Sequence, residues 1–374
     1  MNGCIIRLLL LLVMAIVPPI ALCPFGYGQN PKSRPADVVA ARSPKELIGI
    51  ASEKTTSAET NRDFGEIIYY LDKALASKTI VPEHRKYARQ LKGWAHNRLG
   101  ENFSRQGKDA AALTQFELAV DLNFKHSKAL HNRGVSYAMS ERFDEALQDF
   151  ASTIRIHPQY ANAWFNRAEV FMRLGKTAVA IENYSQAIAL NADDAGYYKG
   201  RGKAYRIVRK YPQAHADLDK ALALDNQTAA IYIERGDLWL AEGNFEKSAA
   251  DYRSAVYTDK QSSAAFQRIA WMMATCPDIR YRDAKRATVF AQRAIQLLGK
   301  EHFRYLDTLA AAHANADEFD LAIKKQTIAL KLAEGNATGR ELKHLKQRLK
   351  QYSRNIPHRE ERIASRSDQP KQVQ

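Results

Sequence analysis

Cysteine is scarce, with three residues in 374 at Cys4, Cys23 and Cys276, which excludes a disulfide-stapled scaffold and a Cys-rich zinc module. The ten histidines show no metal-ligand spacing, and His126 and His131, five apart, do not share a helix face. Neither His-Glu-x-x-His nor Gly-x-Ser-x-Gly occurs. The stretch Gly196 to Lys203 imitates a phosphate loop but is one residue too long, and Ala204 stands where Ser or Thr is required. Cys276 precedes Pro277 with no evident base beside it, the setting of an incidental thiol rather than a nucleophile. After the N-terminal segment there is no second long apolar run, and a mean hydropathy of −0.45 excludes a multi-span membrane protein. Carboxylates are plentiful and are expected on outward helix faces, where solvation is the default. These absences leave no catalytic residue, no metal site and no cofactor.

The chain is 45% hydrophobic and 26% charged, within the globular range, and its length suits two or three domains or one repeat array. Its N-terminus reads as an export signal over residues 1–28. Arg7 supplies the positive charge, Leu8 to Ile16 form a continuous apolar core, and Gly26-Tyr27-Gly28 is a small-x-small site for cleavage before Gln29. Ile20-Ala21-Leu22-Cys23 has the outline of a lipobox, but Leu22 stands where Gly, Ala or Ser is usual. The expectation is therefore an exported protein, periplasmic or secreted, with no membrane span once the signal is cleaved and lipidation at Cys23 as the alternative. Residues 29–43 read as a flexible lead-in.

From there to about residue 352 the pattern is helical, and it repeats every 34 residues. Gly100, Gly134, Ala168, Gly202 and Gly236 form one column; Phe103, Tyr137, Phe171, Tyr205 and Trp239 follow three residues later. Further columns are Ala112, Ala146, Ala180, Ala214 and Ser248, then Phe116, Phe150, Tyr184, Leu218 and Tyr252, then Ala119, Thr153, Ala187, Ala221 and Ala255. Spacings of three, four and seven inside each unit are helical. The reading is two antiparallel helices per unit, with small residues letting the backbones close and bulky ones filling the space beside them. Gly107, Gly175 and Gly243 mark the turns between the helices.

This pattern resembles the tetratricopeptide repeat. The resemblance implies an all-α fold, an α-solenoid of stacked antiparallel hairpins. Seven units are expected: 93–126, 127–160, 161–194, 195–228, 229–262, 263–302 and 303–336, the sixth lengthened by an insertion from Thr275 to Asp283. Residues 44–92 read as a degenerate hairpin and linker helix, 337–352 as a basic capping helix of the kind solenoid ends require, and 353–374 as a basic disordered tail.

The net charge of +15 is patchy. The first two units sum to zero, whereas 195–228 carries +4 and 337–374 carries +6. In the fourth unit Lys199, Lys203 and Arg206 share one helix stripe, which the resemblance places on the concave groove of the superhelix. The neighbouring stripe offers Asn162, Phe165, Glu169 and Met172, and the next offers Asp237. Asn132 and Asn166 occupy equivalent places, each before an Arg; in peptide-binding members of the family such an Asn hydrogen-bonds a ligand backbone, although both also fit ordinary repeat consensus. The Lys and Arg positions of the family's chaperone-tail clamp do not line up here. The implied function is a non-enzymatic scaffold that holds a protein or peptide, with an acidic segment over the Lys199 stripe. The alternative is binding of polyanions or an anionic membrane surface through the tail, where ten Lys and Arg face four Asp and Glu from residue 337 onward. Nucleic acid is not expected, since the basic patches lack interleaved aromatics.

Overall fold

The computed structural model describes residues 42–335 and 337–360. The expected export signal, the lead-in up to residue 41, Cys4, Cys23, Asn336 and residues 361–374 lie outside the described residues. The described residues form seventeen α-helices and one short 3-10 turn, with no strand among them. None of these helices is long and apolar enough to cross a membrane.

Helices α1 (Pro44–Lys54) and α2 (Asn61–Ala76) make an opening hairpin, each started by a capping box, Ser43 with Glu46 and Thr60 with Asp63. Its core of Leu47, Ile48, Phe64, Ile67 and Leu71 is closed by Ala88 and Ala95 of α3 (Pro82–Arg105). The linker helix expected before residue 93 and the first helix of unit one are thus one continuous helix of 24 residues. Nothing in the Arg-, Gln- and Lys-rich stretch before Gly93 breaks it.

Hairpins follow in chain order. After α3 come α4 (Asp109–Leu122), α5 (Ser127–Met139), α6 (Phe143–Ile156), α7 (Ala161–Arg173) and α8 (Thr177–Leu190). Next are α9 (Ala195–Ile207), α10 (Tyr211–Leu224), α11 (Ala229–Ala241), α12 (Phe245–Thr258) and α13 (Ser263–Thr275). The inserted loop then makes a 3-10 turn at Ile279–Tyr281 before α14 (Ala284–Leu298), α15 (Phe303–Asn315), α16 (Phe319–Ala333) and α17 (Gly339–Tyr352). Within a unit the small-residue column does what its spacing implies. A Cβ on Gly236 would stand 2.6 Å from Tyr252 Cε1, and one on Gly202 would stand 2.9 Å from Leu218 Cγ. Only a residue without a side chain lets those helices approach so closely.

The turns obey geometry more than sequence. Gly107, Gly175 and Gly243 adopt φ of 70°, 72° and 76° as expected, but Glu141 and Arg209 take the same left-handed conformation at 59° and 58°. In each turn the next N–H bonds back five residues, as from Arg142 to Tyr137 O and from Lys210 to Tyr205 O, both 2.9 Å. That closure of the helix end forces the left-handed residue whatever its side chain.

The expectation that carboxylates lie on outward faces is wrong for a periodic set. Arg133 makes a bidentate pair with buried Asp149, with both bonds 2.8 Å; Arg201 does the same with Asp217 at 2.8 Å, and Arg235 with Asp251 at 2.9 Å. Unit three substitutes a neutral acceptor, Arg167 Nε to Asn183 Oδ1 at 2.7 Å. Each acceptor lies sixteen residues after its Arg, the offset that also aligns Gly236 with Tyr252. A carboxylate there is buried because the facing guanidinium meets both its oxygens.

First helices of successive units touch one another, whereas contact between successive second helices is sparse. The stack therefore curves toward its first helices, which line the concave side. Residues 353–360 also depart from expectation. The first part of the presumed tail packs onto α13 and α15, through Glu360 N to Thr275 O at 3.0 Å and Arg359 Nη2 to Asn315 Oδ1 at 2.8 Å.

Candidate functional site

Side chains on the concave side are joined from unit to unit by polar contacts. Asn132 of α5 donates its Nδ2 to Asn97 Oδ1 (3.0 Å) and Glu101 Oε1 (3.2 Å) on α3. One unit later, Asn166 of α7 donates to His131 Nε2 at 2.8 Å, and Tyr197 of α9 donates its hydroxyl to Asn162. The links Asn132–Asn97, Asn166–His131 and Tyr197–Asn162 each span 35 residues and join corresponding helices of successive units. Asn132 and Asn166 thus spend amide hydrogens on the preceding unit. What Asn132 still offers a ligand is its carbonyl oxygen, and Asn166 keeps one N–H as well.

Above this ladder, between α3, α4 and α5, lies a cavity of about 750 Å³. Leu113, Phe116 and Val135 supply apolar walls, Met139 stands at its rim with 61% of its surface exposed, and Glu101, Arg105, Asn132 and Asn166 add polar edges. Burial pushes Glu101 up, but Lys128, Asn97 and Arg98 outweigh it and hold the carboxylate below its usual range. His131, also lining the cavity, is pushed down to about 4 by burial, and its Nδ1 is buried without a partner. It is a neutral imidazole near neutral pH. Apolar walls with a few fixed polar groups are the ordinary make-up of a ligand pocket.

The basic stripe of α9 is arranged differently from the sequence reading. Lys203 and Arg206 are not left free over the groove but are paired with carboxylates of unit five. Lys203 Nζ stands 3.3 Å from Glu234 Oε1, and Arg206 Nη2 stands 3.1 Å from Glu234 and 3.6 Å from Asp237. Arg268 of α13 adds 3.2 Å to Asp237, and Tyr252 donates its hydroxyl to Asp237 Oδ1 at 2.6 Å. Burial raises Glu234, yet Lys203, Arg206 and Arg268 together hold it low. Three cations thus meet two carboxylates, and Lys199, which forms no ion pair with any described residue, adds to the positive excess of the stripe. Phe165 is half-buried between the rings of Tyr184 and Tyr197, at 5.8 and 5.0 Å, and Met172 packs in the same cluster. Glu169 is exposed and accepts from the Tyr184 hydroxyl, which burial and the nearby charge hold in its protonated form.

Sequence reasoning missed the cavity at units one and two and the Arg–Asp pairs. The latter left a legible signal, since Arg133, Arg167, Arg201 and Arg235 recur at the repeat period with Asp149, Asn183, Asp217 and Asp251. The cavity left none, being space between side chains that lie far apart in the chain.

A tetratricopeptide-repeat family model matches residues 97–161, 131–195, 165–207 and 200–265. Among solved structures, a chain of the APC/C hetero-tetramer Cut9–Hcn1 is 15% identical, covering 82% of this chain and 55% of that one with a TM-score of 0.57. A tetratricopeptide repeat protein from Parabacteroides merdae is 16% identical over 84% of this chain and 100% of that one, TM-score 0.46. A thermophilic TPR protein of Thermus thermophilus is 23% identical over 46% and 94%, TM-score 0.42. No curated protein matches this chain. The overlapping matches fall in register on the helical hairpins described above, and the chain is a tetratricopeptide-repeat protein.

Proposed function

We propose that this chain is a non-enzymatic scaffold that binds a protein or peptide along its concave groove. The cavity of about 750 Å³ at units one and two carries the reading, because it combines apolar walls with fixed acceptors and donors on helices already held by neighbouring units. A groove organised before binding reduces the ordering cost of association. The excess of cations at Lys199, Lys203, Arg206 and Arg268 supports an acidic stretch in the partner. Asn132, Asn166, Phe165, Glu169, Met172 and Asn162 complete the contacting set between these two ends. We further propose that the protein works outside the cytoplasm, on the strength of the apolar run Leu8 to Ile16 and the Gly26-Tyr27-Gly28 site. N-terminal sequencing of the processed chain is expected to begin at Gln29, and a lipidated Cys23 would replace this with a tethered form.

Selection from a displayed peptide library against the full chain tests the groove. The enriched peptides are expected to lose at least about tenfold in affinity to a chain carrying Val135→Gln with Met139→Glu, while helix content and Tm stay unchanged. Peptides that bind this variant as tightly as the parent overturn the cavity assignment. Lys199→Gln with Lys203→Gln tests the acidic stretch without stripping Glu234 of Arg206. Reversing Lys343, Lys346 and Lys350 to Glu is the control for the polyanion alternative, which takes over if only that variant loses binding and if binding collapses with salt.

A further inference from the structure

The C-terminal end of the described chain is laid into the groove of its own units six and seven. After α17 the backbone reverses through Asn355, with φ of 57°, and continues without regular secondary structure to Glu360. Four hydrogen bonds then tie it to two first helices. Arg359 donates Nη1 to Ala274 O at 3.1 Å and Nη2 to Asn315 Oδ1 at 2.8 Å. The Glu360 N–H donates to Thr275 O at 3.0 Å, and the Trp271 indole N–H donates to Glu360 Oε1 at 2.9 Å. The His358 ring lies 5.9 Å from Trp271, on which the Arg348 guanidinium also stacks at 5.2 Å.

This arrangement uses general features of the stack. Ala274 and Thr275 end α13, so their carbonyls have no partner within the helix and carry the negative end of its dipole. A guanidinium and a backbone N–H are the donors such carbonyls require, and the indole N–H supplies the matching donor for the carboxylate that follows. We propose that units six and seven form an extended-peptide site for a basic residue followed by a carboxylate, and that the chain's own Arg359–Glu360 fills it as a displaceable ligand in cis. The contacts are polar and Ile356 is 49% exposed, so little apolar surface holds the segment down. What favours the cis form is the tether from Tyr352, which gives a local concentration on the order of millimolar. The proposal rests on the groove reading above, but it concerns the opposite end of the stack.

The test uses a fluorescein-labelled synthetic peptide spanning Ser353 to Gln374, measured by anisotropy. A chain ending at Tyr352 is expected to bind it saturably, and the full chain to bind it at least about tenfold more weakly because its own segment competes. Trp271→Phe in the shortened chain, and a peptide with Arg359→Ala and Glu360→Ala, are each expected to lose most of that binding. If the shortened chain does not fold, the full chain carrying Arg359→Ala with Glu360→Ala takes its place and must capture the labelled peptide at least about tenfold better than the parent. Equal binding to the parent and to the released chain overturns the proposal, as does no binding to a released chain with native helix content and a cooperative melt. Loss of library-selected peptides through Val135→Gln with Met139→Glu reports on the other end, so either reading can fail while the other stands.

Discussion

Units two to five and units six to seven solve the same problem in different ways. In the middle of the stack each unit is closed by its own residues: Arg201 with Asp217 and Arg235 with Asp251, always sixteen positions apart. At the C-terminal end the buried charge is Asp307 on α15, and its partner Arg348 comes from α17, forty-one residues on, with both bonds at 2.8 Å. Burial pushes Asp307 up, against the pull of Arg348 and Gln326. The helix α15 is buried along nearly its whole length, from Leu306 to Ala314, because α17 and the segment after it cover the side that other first helices leave open. The Arg–carboxylate closures of the middle units are therefore local, whereas the closure at the end is a long-range assembly whose parts depend on one another.

Breaking the Asp307 pair gives the largest contrast. Arg348→Ala strands a buried carboxylate and is expected to cost about 3–5 kcal/mol, releasing α17 and the residues after it together. Hydrogen exchange should show that loss confined to units six and seven, whereas Arg201→Ala should loosen only units three and four, which its bonds to Ser185 and Asp217 join. Similar protection patterns for the two variants would mean that the array unfolds as one block and that the distinction between local and long-range closure is false.

Acid is the next lever. His131 in the middle and His358 at the end are each pushed down to about 4, His131 by burial and His358 by burial together with Arg348, Arg359 and His344. His96, His126 and His302 shift in the same direction. An unfolded histidine takes its proton near 6.5, so the stability held by a neutral buried ring is present above that pH and drains away as pH falls toward 4. The loss is about 3 kcal/mol for each of the two strongly shifted rings at pH 4. Thermal melts across pH 7 to 4 should show it, and His358→Gln should remove the part that belongs to the end. A Tm independent of pH over this range would contradict both environments.

Packing follows. Gly202→Leu must push Leu218 aside and is expected to destabilise by about 1–3 kcal/mol; a Tm equal to the parent's would mean the fourth unit is out of register. Smaller and opposite in sign are Glu141→Gly and Arg209→Gly, which relieve left-handed strain and should stabilise by about 0.5–1 kcal/mol each in denaturant melts. Gly175→Ala, at the equivalent turn, should lose a similar amount.

Much of this was legible beforehand. Columns such as Gly236 with Tyr252 predict a closure that the helices then make, and the 34-residue period specifies hairpins, their order and the turns at Gly107, Gly175 and Gly243. The turn at Arg209 was not legible, because the backbone closure at Tyr205 O imposes it on a residue that does not prefer it. For the candidate site, the stripe of Lys199, Lys203 and Arg206 was visible as spacing along one helix. Its pairing with Glu234 and Asp237 was not, since that depends on how far α11 is turned relative to α9.

The sequence by itself determined the repeating unit, because helical spacing and residue size act within tens of residues and leave a period that can be counted. Tertiary structure alone decided which polar side chains of that period are consumed in joining units and which still face the groove. It also decided that the chain's last described residues lie against α13 rather than in solvent. Both outcomes depend on contacts between first helices and on helix-end carbonyls whose position no local spacing records.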